Sequence, residues 1–248
     1  MIFGLDHVTL AGAMTAARID WLTGAGYRVS MSADNLDNLE LKRPWLSHFA
    51  PTHSLRLFRA PGSAGVEIVD QSATVGRADR LLPILDRAPD VDDTPFAMTS
   101  AGPALWSLRL GAAYVRRPAR AGGEASDGVR QFVWRTPDPV AARDFWRQLG
   151  FKVDSINPDC LRFRGIDAVE CTLWLSVAPE AVAPVRLDAE GFTCFAVVTT
   201  SIADDVAALG ATAVRVSEIG HITPGAHALR VAFAEAADGA VVELIGLR

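Results

Sequence analysis

The strongest constraint on the fold is an internal repeat with a period of half the chain. The stretch "GLDHVTLAGAMTAARIDWLTGAGYRV" from Gly4 aligns without a gap with "GVRQFVWRTPDPVAARDFWRQLGFKV" from Gly128, at an offset of 124 residues in a chain of 248. In this alignment His7 meets Gln131. Self-similarity at a fixed spacing indicates that one supersecondary unit has been copied along the chain.

Each copy has the pattern of a strand, a helix and further strands. Apolar and polar residues alternate first, then apolar residues recur at helical spacing, and a glycine and a second strand follow. Two stretches with the pattern of a hairpin come next, "SLRLFRAP" and "GVEIVD" in the first copy and "CLRFRG" and "AVECTLWLSV" in the second. The repeat therefore predicts βαβββ modules.

Two further parts of the chain have related patterns. A third copy opens at "GFTCFAVVTTSIADDVAALGATAVRV" and ends in the hairpin "HALRVAFAEAADGAVVELIGL". Between Ser72 and Arg117 lies a degenerate module, in which "TPFAMTS", "ALWSLRL" and "AAYVRRP" have the composition of strands. The glycine-rich stretch 118–128 predicts a linker, so we expect one domain over residues 1–120 and another over 128–248.

Composition and charge restrict the classes of partner. The net charge of -5 and the scattering of basic residues among acidic ones argue against nucleic-acid binding. The sequence has no apolar run near the roughly 20 residues that a membrane-spanning helix needs. Three cysteines, an odd number without C-x-x-C spacing, predict neither a disulfide framework nor a zinc knuckle. We expect a cytoplasmic protein that binds a small molecule, with a homodimer left open by unpaired sheet edges.

Tandem units that open in "LDHVTL" and close in "GVEIVD" or "DGAVVELIGL" resemble the vicinal oxygen chelate superfamily. This superfamily includes glyoxalase I, type I extradiol dioxygenases, methylmalonyl-CoA epimerase and bleomycin resistance proteins. The resemblance implies an α+β fold, in which tandem βαβββ modules form two cupped mixed β-sheets with helices outside. It also implies a metal in a cup, held by the middle of a module's first strand and by a glutamate near the end of its last strand.

The resemblance assigns six positions to such sites. The first-strand positions are His7, Gln131 and Cys194, and the last-strand positions are Glu67, Glu170 and Glu243. In chain order, module one opens at Gly4, module two is the degenerate one, module three opens at Gly128 and module four opens at Gly191. One site receives His7, Glu67 and Glu243 together only if modules one and four pair. If each half pairs internally, these three ligands separate, so the sequence leaves the pairing open. Histidine nitrogen and carboxylate oxygen suit Fe, Mn, Zn, Ni or Co as a divalent ion.

The alternation of side chains along strands supports the site independently. With period two, His7 shares a face with Leu5 and Thr9, while Glu67 shares one with Gly65 and Val69. A carboxylate inside "GVEIVD" is costly to bury unless a cation or a hydrogen-bond donor meets it. The alternative interpretation of His7 is a strand histidine that is hydrogen-bonded to a neighbour.

Besides His7, Glu67 and Glu243, seven residues are candidates for catalysis or substrate contact. His53 and His227 open equivalent hairpin strands, and an ordinary imidazole with a pKa of roughly 6.5 suits proton transfer near neutral pH. Candidate substrate contacts are Gln131, Glu170, Cys194, Trp134 and Trp174. For Cys194 the alternative is a small core residue.

Three functions remain open from the sequence. The first is a metal-dependent lyase, isomerase or oxygenase acting on a small metabolite with adjacent oxygens, in which His7, Glu67 and Glu243 hold the metal. Ring cleavage by the usual iron triad is disfavoured, since extradiol dioxygenases would have histidine at the positions of Gln131 and Cys194. The second is a metal-free protein that sequesters an aromatic ligand, and the third is a metal-free acid–base enzyme.

Overall fold

The computed structural model describes residues 1–71, 73–85, 92–107, 110–116, 128–165, 169–178 and 183–246. Within these residues the strands are β1 Ile2–Ala11, β2 Arg28–Asp37, β3 Thr52–Arg59, β4 Gly65–Asp70, β5 Leu81–Leu85, β6 Asp93–Thr99, β7 Gly102–Ser107, β8 Ala112–Arg116, β9 Gln131–Thr136, β10 Lys152–Val153, β11 Cys160–Arg164, β12 Glu170–Val177, β13 Gly191–Thr199, β14 Arg215–Val216, β15 Gly220–Ile222, β16 Leu229–Glu235 and β17 Val241–Gly246. The helices are α1 Ala16–Gly24, α2 Pro139–Gln148 and α3 Ile202–Leu209, with a 3-10 helix at Glu40–Trp45.

The first sheet joins modules one and four. Its strand order is β14-β16-β17-β13-β1-β4-β3-β2, with β15 paired to β16. The two modules meet where β1 runs antiparallel to β13, and each module places its last strand parallel to its first, β4 beside β1 and β17 beside β13. The sequence leaves two pairings open, and the structure adopts the one in which module one pairs with module four.

The second sheet joins modules two and three in the same manner. Its order is β10-β11-β12-β9-β5-β8-β7-β6, and β5 meets β9 antiparallel. The three strands predicted in the degenerate module are confirmed as β6, β7 and β8. The prediction of an α+β fold with two mixed sheets is also confirmed.

Helices α1 and α2 begin where the sequence provides capping groups. The Thr15 hydroxyl accepts a hydrogen bond from the Arg18 amide before α1, and the Asp138 carboxylate accepts from two amides at the start of α2. Pro139 takes the first turn of α2, where its missing N–H is not needed. Buried apolar side chains of the helices, such as Leu22 and Trp146, pack with both sheets in the main core.

Both sheets combine strands from the two halves of the chain. Residues 118–127 of the predicted linker lie outside the described residues, so the division into domains 1–120 and 128–248 stays a prediction. Among the helices of the described ranges, none has the length and apolar character that crossing a membrane requires.

Candidate metal centre

A cavity of about 470 Å³ lies on the face of the first sheet opposite the main core. Strands from across the sheet contribute to it, which means that the sheet is cupped around this space. Apolar side chains form much of the wall, and a smaller set of polar and charged groups converges within it. The polar and charged lining residues are Asp6, His7, Ser30, Lys42, His53, Arg59, Glu67, His227 and Glu243.

Three of these residues have the arrangement of a metal site. His7 on β1, Glu67 on β4 and Glu243 on β17 each place one ligand atom so that all three atoms lie within 4.8 Å of one another. His7 and Glu67 are 3% and 7% exposed, and Glu243 is partly buried. The three residues come together because modules one and four share a sheet.

A β-bulge in β1 decides which side chains face the cavity. Relative to β13, the register shifts between Leu5 and His7, so that Asp6 has no partner on that strand. Leu5 consequently packs in the main core while Asp6 and His7 both line the cavity. The prediction that Leu5 and His7 share a face is therefore wrong, since strict alternation does not hold across a bulge. For β4 the prediction holds, because Glu67 and Val69 line the cavity and Val66 is buried in the core.

The bulge allows a carboxylate to orient His7. Asp6 Oδ2 lies 2.7 Å from His7 Nδ1, and Asp6 Oδ1 accepts from Arg59 Nη2 at 2.6 Å. Side chains of neighbouring residues in a regular strand point to opposite faces, so this contact requires the bulge. With Nδ1 held by Asp6, His7 Nε2 faces the two glutamates. It is buried, lies 3.4 Å from Glu67 Oε2 and has no hydrogen-bond partner in the described chain.

The charged groups shift one another's pKa values. Burial lowers the pKa of His7, but Glu67 and Asp6 outweigh this effect and raise it to about 10. Burial raises the pKa of Asp6, whereas His7 and Arg59 outweigh it and lower the value to about 2. The pKa of Glu67 is lowered because the His7 imidazolium outweighs burial. The pKa of Glu243 is raised by burial. The metal-free site thus holds a protonated histidine beside an ionised glutamate.

Gly65 provides the space that His7 occupies. It lies beside His7 in the β1–β4 register, and a Cβ atom on it would come within 2.9 Å of the Asp6 carbonyl oxygen and 3.0 Å of His7 Cβ. These contacts are with backbone and with the base of a side chain, so neither atom can turn away easily. The glycine is therefore part of the geometry of the site.

We expect Gly65→Ala to displace His7 and weaken metal binding, at a cost in the free energy of unfolding of about 1–3 kcal/mol. Gly24→Ala is the matched control, because a Cβ at that helical glycine meets nothing within 4 Å. Urea unfolding and metal titration of both variants measure the two effects. If Gly65→Ala binds metal as tightly as the wild type, the close approach is not needed by the site.

The two predicted proton-transfer histidines both line the cavity, in different environments. His53 is 2% exposed and neither ring nitrogen has a partner within the described residues. Burial, with the Lys42 ammonium, lowers the pKa of His53 to about 4, so its imidazole is neutral near pH 7. His227 is exposed and lies at the rim.

The five predicted substrate contacts lie outside this cavity. Gln131, Glu170, Trp134 and Trp174 belong to β9 and β12 of the second sheet. Glu170 is exposed and paired with Arg162, and the Trp134 indole donates to Asp238 in the core. Cys194 faces the cup, but Trp45, Phe233 and other apolar residues cover it. Burial raises the pKa of this thiol well above its ordinary value. Whether these residues contact a ligand stays a prediction.

Three charged residues of the cavity are absent from the sequence-based candidates, namely Asp6, Lys42 and Arg59. Asp6 precedes the candidate ligand His7, but strand alternation directs it to the wrong face. Lys42 lies in the 3-10 helix, at a position that the repeat does not define. The one available signal for Lys42 was the rarity of lysine in this chain, because two of its 24 basic residues are lysines and the others are arginines.

Comparison with known proteins supports the fold. No protein-family model and no curated protein sequence matches the chain. A "putative dioxygenase" from Bacillus subtilis superposes with a TM-score of 0.62 at 11% identity, covering 99% of this chain and 85% of that one. Glyoxalase I from Zea mays superposes with a TM-score of 0.55 at 13% identity, covering 98% and 92%. A variant of the maize enzyme gives 0.59 at the same identity and coverage. The chain therefore has the same fold as these proteins, as the resemblance in sequence predicts.

Proposed function

We propose that this chain is a metal-dependent enzyme that acts on a small metabolite with vicinal oxygens, and that His7, Glu67 and Glu243 hold a divalent ion. The observation that carries the proposal is the convergence of their three ligand atoms within 4.8 Å, with His7 Nε2 buried and unpartnered. One imidazole nitrogen and two carboxylate oxygens suit Fe, Mn, Zn, Ni or Co. A bound ion would neutralise both glutamates and satisfy the orphaned nitrogen.

Each residue around the ion has a part that its position supports. Asp6 accepts a hydrogen bond from His7 Nδ1 and so directs Nε2 into the cavity, and Arg59 holds Asp6 in place. When bound, a divalent ion supplies a Lewis acid that stabilises negative charge on a substrate oxygen. Apolar wall residues such as Leu55, Leu57 and Val231 reduce the access of water to the organic part of a ligand.

His53 is the residue that we assign to proton movement. Its imidazole is neutral near pH 7 and has unpartnered ring nitrogens in the cavity, so it is ready to accept a proton from a bound substrate. A pKa of about 4 makes His53 a weaker base than an ordinary histidine. Such a base suits a substrate proton whose acidity would be increased by chelation of the substrate to the ion. His227 lies at the rim of the cavity, where it is positioned to exchange protons with solvent.

One observation favours the metal-free alternatives. The Lys42 ammonium lies in the same cavity and opposes the effect of burial on Glu243 by lowering its pKa. A lysine and a protonated His7 could together compensate the glutamates without an ion, leaving an apolar cup for an aromatic ligand or for acid–base chemistry. Metal binding by the purified chain separates these functions from the one that we propose.

We expect the metal-free protein to bind one Zn, Mn, Ni, Co or Fe ion per chain and to release about one proton as it does so. At pH 8 the metal-free His7, with a pKa of about 10, carries a proton that a ligand nitrogen must lose. Calorimetric titration in two buffers of different ionisation enthalpy measures both the stoichiometry and the proton number.

Asp6→Asn provides the control for the proton count. Loss of the Asp6 charge lowers the pKa of His7, so fewer protons are released at the same pH. Absence of binding for all five metals would contradict the proposed function. Binding without any dependence on the buffer would show that His7 is not the titrating ligand.

A further inference from the structure

A lysine shares the cavity with the three candidate ligands and lacks a counter-ion of its own. Lys42 is 7% exposed, and its Nζ lies 5.5 Å from the centroid of the Phe233 ring. Within the described part of the chain, the Lys42 ammonium makes no hydrogen bond and no ion pair within 4.0 Å. A buried ammonium without a close partner is unfavourable, so a bound ligand is a natural source of the missing negative charge.

The backbone that carries Lys42 is fixed to module four and to the segment that precedes it. Trp45, three residues further along, donates from Nε1 to Glu235 Oε2 at 3.0 Å, and its carbonyl accepts from the Leu187 amide at 2.8 Å. The Asp188 carboxylate accepts from the amides of Ser47 and His48. These contacts hold the segment over the end of the cup, so Lys42 enters the cavity from a positioned element.

The charges in the metal-loaded cavity leave Lys42 uncompensated. Asp6 and Arg59 cancel each other at 2.6 Å, and a divalent ion balances Glu67 and Glu243. As a metal ligand His7 is neutral, and His53 is neutral near pH 7. Of the charged residues that line the cavity, the Lys42 ammonium remains, which gives the loaded cavity a net charge of one positive unit.

We propose that the cavity takes a monoanionic organic ligand, a carboxylate with an oxygen on the adjacent carbon, and that the Lys42 ammonium binds the carboxylate. This inference rests on the proposed function, because the charge balance assumes a bound divalent ion. Two neighbouring oxygens serve the metal, the carboxylate charge meets Lys42, and the apolar wall accommodates the rest of the molecule. Lys42 is thus a determinant of substrate charge.

The test uses Co²⁺-loaded protein and two probes that differ in charge, glycolate and its neutral amide, glycolamide. Both are small enough to enter a cavity of about 470 Å³ without steric rejection. Changes in the visible absorption of Co²⁺ report the affinity for each probe. We expect Lys42→Met to weaken glycolate binding by about tenfold or more, and to change glycolamide binding by less than about twofold.

Controls separate the anion site from the metal site. Lys152→Met removes the other lysine, which lies on β10 of the second sheet, and should change neither affinity. Lys42→Arg keeps the charge and should keep most of the preference for glycolate. Lys42→Met should bind Co²⁺ at least as tightly as the wild type, because a like charge beside the ion is removed.

Three results would overturn the inference while leaving the proposed function intact. The first is that Lys42→Met binds glycolate with the affinity of the wild type. The second is that the Co²⁺-loaded wild type does not bind glycolate. The third is that Lys42→Met loses affinity for glycolate and for glycolamide to the same extent. A wild-type chain that binds no metal would overturn the proposed function, and with it the charge balance. Should Lys42→Met not fold, Lys42→Gln and the wild-type preference between the probes decide the question.

Discussion

Purified without a histidine tag or a chelator, the wild-type chain is expected to carry close to one divalent ion per molecule, and the His7→Ala chain to carry none. Loss of a group that merely supports a ligand typically weakens metal affinity by about 10–100-fold. We therefore expect removal of a ligand to weaken it by more than about 100-fold. Glu67→Gln, which keeps the shape of the side chain, should have the same effect, because the carboxylate is among the three converging groups. Elemental analysis measures the metal content.

The internal repeat offers matched controls for these substitutions. Gln131→Ala and Glu170→Gln change the equivalent positions of module three, on the second sheet, and should leave the metal content unchanged. Thermal unfolding followed by circular dichroism checks that each variant is folded. If His7→Ala and Glu67→Gln retain as much metal as the wild type, the ion is bound elsewhere and His7 is a core or ligand-contacting residue.

The largest loss of stability is expected for Trp146→Ala, at about 3–5 kcal/mol in the free energy of unfolding. Trp146 on α2 is 1% exposed, and its ring meets Trp134 of β9 in the second sheet and Phe195 of β13 in the first sheet. The ring-centroid distances are 6.3 and 5.4 Å, both with edge-on geometry. A single side chain thus packs against both sheets, and its removal leaves a cavity between them. Urea unfolding of the metal-free chain measures the change.

Trp21→Ala is the control, since Trp21 lies on α1 and is partly buried at the edge of the same core. Its truncation should cost clearly less than that of Trp146. Because Trp146 is in the core, away from the cavity, the folded fraction of Trp146→Ala should still bind metal. A loss below about 1 kcal/mol for Trp146→Ala would mean that the two sheets are stabilised independently of this contact.

The elements that the sequence predicts correctly are those with a regular local period. The alternation of "GVEIVD" predicts a strand with Glu67 on one face and Val66 on the other, and both assignments hold in β4. Strand β5 was not predicted, because Pro83 lies in its middle and proline removes a backbone donor. In the structure Pro83 nevertheless pairs with Phe132 of β9, so the neighbouring sheet outweighs the local propensity.

The repeat also explains why the ligands could be named but not assembled. Positions 7, 67 and 243 follow from strand patterns and from the resemblance, each within a single module. Their meeting depends on β1 pairing with β13, a contact between residues almost two hundred positions apart. The sequence of one module shows that its first strand can pair with another strand, but it does not identify which strand that is.

The patterns of the sequence by themselves determined the βαβββ order of modules one, three and four, because side-chain periods and residue types are local properties. The mixed sheets and the candidate ligands His7, Glu67 and Glu243 came from the family resemblance that its short motifs carry. Only the tertiary structure decided that modules one and four share a sheet, that a bulge turns Asp6 toward His7, and that Lys42 enters the same cavity. These features depend on register and on packing between distant segments, which are settled by the burial of the whole core.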